Sequence, residues 1–135
     1  MALTVVDAGV LIAFLEPDDA HHDAATDALT QAATALDDLV VPIAAFAEFL
    51  VGPSRRGRRA VDQAESTLDA IGARVEPATR AIGRRAAALR AQHGPAMRLP
   101  DALVVATATE LGAGRILTTD RRWPNVGIAV EIVGA

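Results

Sequence analysis

The chain has no cysteine, no lysine, one tryptophan and only three histidines among 135 residues. Without cysteine there is no disulfide and no thiolate metal site, which suits a reducing compartment. Lysine is missing because all 13 basic residues are arginine. Arginine suits bidentate phosphate contact, although the plainer cause is biased codon usage in a GC-rich genome. No apolar run approaches the roughly 18 residues of a membrane span. Met1–Leu15 is apolar but has no basic n-region and carries Asp7 in its middle, so it is a poor signal peptide. A cytoplasmic location is expected.

What is present is a globular chain. The hydrophobic fraction is 51%, and the length fits one domain spanning residues 1–135. Leu3–Val6 reads as a buried strand, followed by Asp7 and an apolar helix to about Leu15. A second helix is expected over about Ala20–Leu36 and a short strand at Leu39–Val41. Pro42 opens a helix from Ile43 to about Val51, with Gly52-Pro53 as its stop. Ser54–Arg59, SRRGRR, reads as a basic loop. A helix to about Ile71, an edge strand at Ala73–Val75 and a helix over Ala78–Gln92 follow. His93-Gly94-Pro95 leads to a helix beginning near Pro100, which Gly112 and Gly114 stop. Arg115–Thr118 is a strand ending near Asp120, and Gly127–Val133 is the last. Strands alternating with helices predict an α/β fold with a largely parallel sheet. In such sheets the site lies outside the carboxyl ends of the strands, where Asp7 and Asp120 both fall.

The informative pattern is the isolation of acids. Asp7 is the only charged residue between Met1 and Leu15, Glu48 the only one between Leu39 and Gly52, and Asp101 the only one from Leu99 to Thr109. Each has a plain alternative: Asp7 as a helix cap, Asp101 as a first-turn dipole partner, Asp120 as a turn residue, Glu48 as the partner of a distant arginine. Burying unpaired carboxylates costs several kcal/mol each even after relaxation. Two carboxylates about 5 Å apart repel by roughly 3 kcal/mol at an effective dielectric near 20. A shared cation reverses that cost. The available ligands are oxygens, which points to Mg²⁺ or Mn²⁺ rather than zinc. Such sites support phosphodiester hydrolysis by a metal-activated water. The net charge of −4 does not exclude nucleic acid: setting the four acids aside leaves 13 acids against 13 arginines.

The segments VVDAGVLIAFL, FAEFL and LPDALVVATATELGAGRILTTD resemble the acidic motifs of PIN-domain nucleases. In length the chain most resembles VapC-type toxins of bacterial toxin–antitoxin pairs. The resemblance implies a single PIN-like domain, a central five-stranded parallel sheet with helices on both sides. It implies an Mg²⁺-dependent endoribonuclease acting on RNA, inhibited by a VapB-type antitoxin, and a homodimer. It carries metal and catalytic roles onto Asp7, Glu48, Asp101 and Asp120, with Thr118 as a hydroxyl supporting them. The chain departs from the pattern at Ala8, where the family often has Ser or Thr, and at Trp123-Pro124, where an acidic–aromatic pair is common.

Other residues are open to two readings. Arg55, Arg56, Arg58 and Arg59 either grip an RNA backbone or form a solvated loop. Arg121 and Arg122 adjoin Asp120 and could contact phosphate. Trp123 is a core plug or a stacking platform for a base. His21 and His22 read as a solvated helix start. Phe14, Phe46 and Phe49 read as packing. Two rival functions stand beside the nuclease. One is a phosphatase of another α/β fold, although the DxD expected after the first strand is missing. The other is a catalytically weak or inactive PIN-like module that binds RNA or regulates a partner.

Overall fold

A computed structural model describes residues 2–134. Met1 and Ala135, which the single-domain expectation included, lie outside the described residues. The elements run β1 (Leu3–Val6), α1 (Ala8–Leu15), α2 (His22–Thr34), β2 (Asp38–Pro42), α3 (Ile43–Arg56), α4 (Arg58–Ala70), β3 (Arg74–Glu76), α5 (Arg80–His93), α6 (Leu99–Glu110), β4 (Arg115–Thr118) and β5 (Val130–Ile132). A single 3₁₀ turn, Gly94–Ala96, joins α5 to the approach to α6.

The five strands form one sheet in the order β3-β2-β1-β4-β5, and every pairing is parallel. Central strands of such a sheet are covered on both faces. That is why Val5, Val6, Val40, Val41, Ile116 and Leu117 form an unbroken apolar belt with no exposure. The chain first steps from β1 to β2 to β3, then crosses back to place β4 on the other side of β1. Right-handed crossovers running in opposite directions put helices on both faces. The reversal also opens a crevice at the carboxyl ends of β1 and β4, the usual ligand position in such sheets. No helix is long and apolar enough to cross a membrane among the described residues.

Three expectations need correction. α3 does not stop at Gly52-Pro53; it runs on to Arg56, with Pro53 inside it. Phe49 and Pro53 are both buried, and their i,i+4 spacing puts them on one helix face. Burial of that face outweighs the hydrogen bond the proline lacks. Accordingly Ser54–Arg59 is not a loop. Ser54, Arg55 and Arg56 end α3, Gly57 breaks it at φ 120°, and Arg58 and Arg59 begin α4. The last strand is also shorter than expected, Val130–Ile132.

Candidate functional site

The site is built on strand ends. β1 delivers Asp7, whose amide bonds the Leu117 carbonyl of β4 at 2.9 Å. Asp7 caps α1: its Oδ1 accepts from the Ala8 amide at 2.9 Å. Its Oδ2 accepts from the Thr118 hydroxyl at 2.7 Å. Thr118, fully buried at the end of β4, also accepts from the Asp120 amide at 3.1 Å. One hydroxyl thus ties the first acid to the backbone of the last.

Glu48 comes from the second turn of α3, and Asp101 from the first turn of α6, where the helix dipole favours a carboxylate. Asp7 interacts electrostatically with Glu48, Asp101 and Asp120, and Asp101 also with Glu48 and Asp120. Burial pushes the Asp7 carboxyl above its ordinary value, against its two hydrogen bonds, and the negative charges of Glu48 and Asp120 push the same way. Glu48 is raised by desolvation and then by Asp101, with Arg98 opposing. Asp101 is raised by desolvation and then by Asp7, with Asp120 adding and Arg98 and Arg122 opposing.

The opposite end of the sheet provides a contrast. There Asp37 accepts from the Ala2 amide and the Thr4 hydroxyl and pairs with Arg115 at 3.2 Å. Those bonds, the Ala2 amide first, hold its carboxyl below the usual value. The chain can satisfy an acid with its own groups where charge balance is wanted. At the carboxyl ends Asp7 accepts hydrogen bonds on both oxygens, but no ion pair with an arginine forms at Asp7 or Glu48 among the described residues. Asp101 and Asp120 do have arginines beside them, at 3.9 Å from Arg98 and 3.3 Å from Arg122. Both guanidinium side chains are highly exposed, 73% and 89%, and exposed pairs of this kind neutralise little.

The donor chemistry fits a hard divalent cation, since the converging groups are carboxylates and a hydroxyl with no imidazole or thiolate. Among the described residues, no three His, Cys, Asp or Glu side chains are gathered closely enough to hold a metal ion. Mutual repulsion of the ionised carboxylates opposes a closer approach.

The remaining expected residues divide. Arg122 reaches the site. Arg121 donates to the Gly134 carbonyl at 2.8 Å, and Arg56 pairs with Glu16 at 3.2 Å, so both are occupied. Arg55, Arg58 and Arg59 are exposed. His22 is not simply solvated, since its Nδ1 lies 2.8 Å from the Ala13 carbonyl. Phe49 is buried, and Phe14 and Phe46 pack against the core. Trp123 is half-buried, and with Arg98, Arg122, Asp101 and Asp120 it lines a cavity.

Arg98 and the Gly9–Thr119 contact escaped the sequence reading. A Cβ on Gly9 would stand 2.3 Å from the Thr119 hydroxyl, so glycine lets the β4 tip settle onto the start of α1. The available signal was a glycine two residues after a helix cap in an otherwise apolar run.

Comparison with known proteins agrees with this architecture. The sequence profile of the PIN domain family matches residues 4–129. No curated protein matches the sequence significantly. Among solved structures, the chain is similar to Mycobacterium tuberculosis VapC20, a sarcin–ricin-loop-cleaving toxin. The TM-score is 0.67 at 21% identity, over 84% of this chain and 86% of that one. It is similar to a toxin–antitoxin complex from Klebsiella pneumoniae, with TM-score 0.72 at 20% identity over 95% of each chain. It is also similar to VapBC2 of Rickettsia felis bound to promoter DNA, with TM-score 0.73 at 16% identity over 97% and 98%. At these identities the likeness is one of fold. The profile match sets aside a phosphatase of a different α/β fold.

Proposed function

This chain belongs to the PIN domain family, and from that premise we propose that it is a Mg²⁺-dependent endoribonuclease, the toxin of a toxin–antitoxin pair. One observation carries the reading. At the β1/β4 crevice Asp7, Glu48 and Asp101 are pushed up by burial and by neighbouring acids. A fold gains nothing in stability from that arrangement, whereas a site that must attract a divalent cation needs it.

In this reading Asp7, Glu48, Asp101 and Asp120 hold one or two Mg²⁺, with Mn²⁺ as a substitute. A cation bound there supplies charge neutralisation and acidifies water at the scissile phosphate. The chain's own contribution is orientation. Thr118 fixes the rotamer of Asp7 and the backbone of Asp120 through one hydroxyl. Arg122 and Arg98 stand at the rim, where incoming phosphate can draw them from their carboxylates. Arg55, Arg58 and Arg59 are candidate contacts for the RNA backbone further out.

The proposed protein partner is a VapB-type antitoxin. Support comes from the similar folds found in toxin–antitoxin complexes and from an open groove bordered by Phe14, Leu29, Ala33 and Ile71, which suits an amphipathic helix. A homodimer is proposed on the family resemblance alone.

The test is incubation of end-labelled RNAs, including ribosomal stem-loops and tRNAs, with wild type and Asp101→Asn in Mg²⁺, Mn²⁺ or EDTA. Metal-dependent cleavage lost in the variant is expected. RNA binding that is equal with and without metal, and no cleavage across the panel, would instead favour a binding module without turnover.

A further inference from the structure

Beside the acids lies a cavity of about 230 Å³. Asp101 and Asp120 form one side, Pro95, Ala96 and Trp123 another, and Arg98 and Arg122 complete the lining. Its volume is below the range that holds drug-sized ligands, so it has room for one small planar group and not for a folded stem. Catalysis by the four acids gives no use to its apolar wall. Trp123 adds a second anomaly. Its indole Nε1–H is the one buried side-chain polar atom without a hydrogen-bond partner among the described residues. A buried donor left without an acceptor is uncommon, and it singles out Trp123 among the buried side chains. The two rim arginines are exposed and only loosely paired, which leaves them able to exchange a carboxylate for a phosphate.

We propose that this cavity is the subsite for one unstacked nucleobase of the RNA strand next to the scissile phosphate. The Trp123 ring and the Pro95–Ala96 turn contact the base, and Arg98 and Arg122 take the flanking phosphate. A bare phosphate would use the arginines but find nothing to do with an aromatic and proline wall. Unpaired bases stacked on aromatics are the common mode by which single-stranded RNA is read. The proposal rests on the nuclease reading for its substrate, but its test does not require turnover.

Trp123 is the only tryptophan in the chain, so intrinsic emission reports on this wall alone. Wild-type protein in EDTA is titrated with uridine 5′-monophosphate, adenosine 5′-monophosphate and inorganic phosphate. Both nucleotides are expected to change the emission saturably in the millimolar range, and phosphate to leave it unchanged. The Arg98→Ala and Arg122→Ala variants should weaken the nucleotide response several-fold. No response to nucleotides, or an equal response to phosphate, overturns the subsite.

Trp123→Leu should raise KM for a single-stranded substrate roughly five- to hundredfold, the span of stacking losses seen on truncating an aromatic platform. Trp123→Phe keeps a smaller aromatic face and loses the second ring with the N–H, so it should show a smaller rise with kcat nearly retained. Trp123→Phe also serves if the leucine variant does not fold. Unchanged KM in Trp123→Phe and in any folded Trp123→Leu overturns the proposal. Nucleotide binding without RNA cleavage would keep the subsite and remove the nuclease, and cleavage without an emission response would do the reverse.

Discussion

Replacing Asp7 by asparagine should stabilise the metal-free protein while abolishing its activity. Asp7 is 7% exposed. Asparagine has the same shape and can still accept from the Ala8 amide, and its NH₂ can donate to the Thr118 oxygen. What disappears is the charge. Burying that charge costs several kcal/mol even after relaxation, and repulsion by Glu48 and Asp120 adds to it. Rearranged hydrogen bonds return about 1 kcal/mol of that, and screening at the crevice reduces it further. A net gain of about 1–3 kcal/mol at neutral pH is therefore expected, or roughly 3–5 °C in Tm per kcal/mol for a chain of this size. The pH dependence has a definite sign. The native carboxyl lies above its ordinary value of 3.8, so the folded state binds this proton more tightly than the unfolded state. Wild-type stability falls as pH rises from the ordinary carboxylate range through the raised native value. The advantage of Asp7→Asn is then largest at neutral pH and fades below the ordinary value, where both states are protonated. Thermal unfolding followed by circular dichroism in EDTA, from about pH 3 to pH 8, measures this. Mg²⁺ should raise the wild-type Tm by mass action and leave the variant nearly unmoved. An Asp7→Asn protein that melts below wild type at neutral pH, or a gain independent of pH, would refute the reasoning.

Glu48→Gln should reduce the Mg²⁺-induced shift in Tm and the cleavage rate while helix content stays intact; a lowered Tm with full activity would make Glu48 structural. Alanine at Arg55, Arg58 and Arg59 together should flatten the slope of log K against log salt for single-stranded RNA by up to about two, at roughly 0.7 per lost phosphate contact. Adding Arg56→Ala should flatten the slope by up to about 0.7 more, because its pair with Glu16 is exposed and open to exchange for phosphate; an unchanged slope throughout would mean the α3–α4 elbow does not touch RNA. Gly9→Ala should push the Thr119 hydroxyl away and cost about 1–3 kcal/mol by overpacking, with weaker metal binding by calorimetry. Thr119→Ala in the same chain should restore both, and additivity of the two substitutions would rule out the contact.

Much of the fold was legible because β1, α1 and β4 carry consistent local signals. Leu3–Val6 and Arg115–Thr118 are short apolar or β-branched runs bounded by polar punctuation, and they form where expected. Gly52-Pro53 misled for the opposite reason. Local chemistry says stop, but Phe49 and Pro53 bury one face of α3 and carry the helix another turn, a tertiary gain invisible to local pattern. Isolation of charge singled out the four acids. A lone Glu48 within an apolar helix had no local partner, and its electrostatic neighbour proves to be Asp101. Arg98 beside Asp101 lay just outside the apolar run inspected for counter-charges. The Gly9–Thr119 contact depends on two segments more than a hundred residues apart in sequence and could not be read from either.

The central claim is that acids distant in the chain share cations at one end of the sheet. Anomalous scattering from a crystal soaked in Mn²⁺ tests it most directly. The account predicts a peak coordinated by Asp7 together with one or more of Glu48, Asp101 and Asp120, and no such peak in Asp7→Asn. Mn²⁺ bound only elsewhere, or none at the β1/β4 crevice in crystals of active protein, would contradict it.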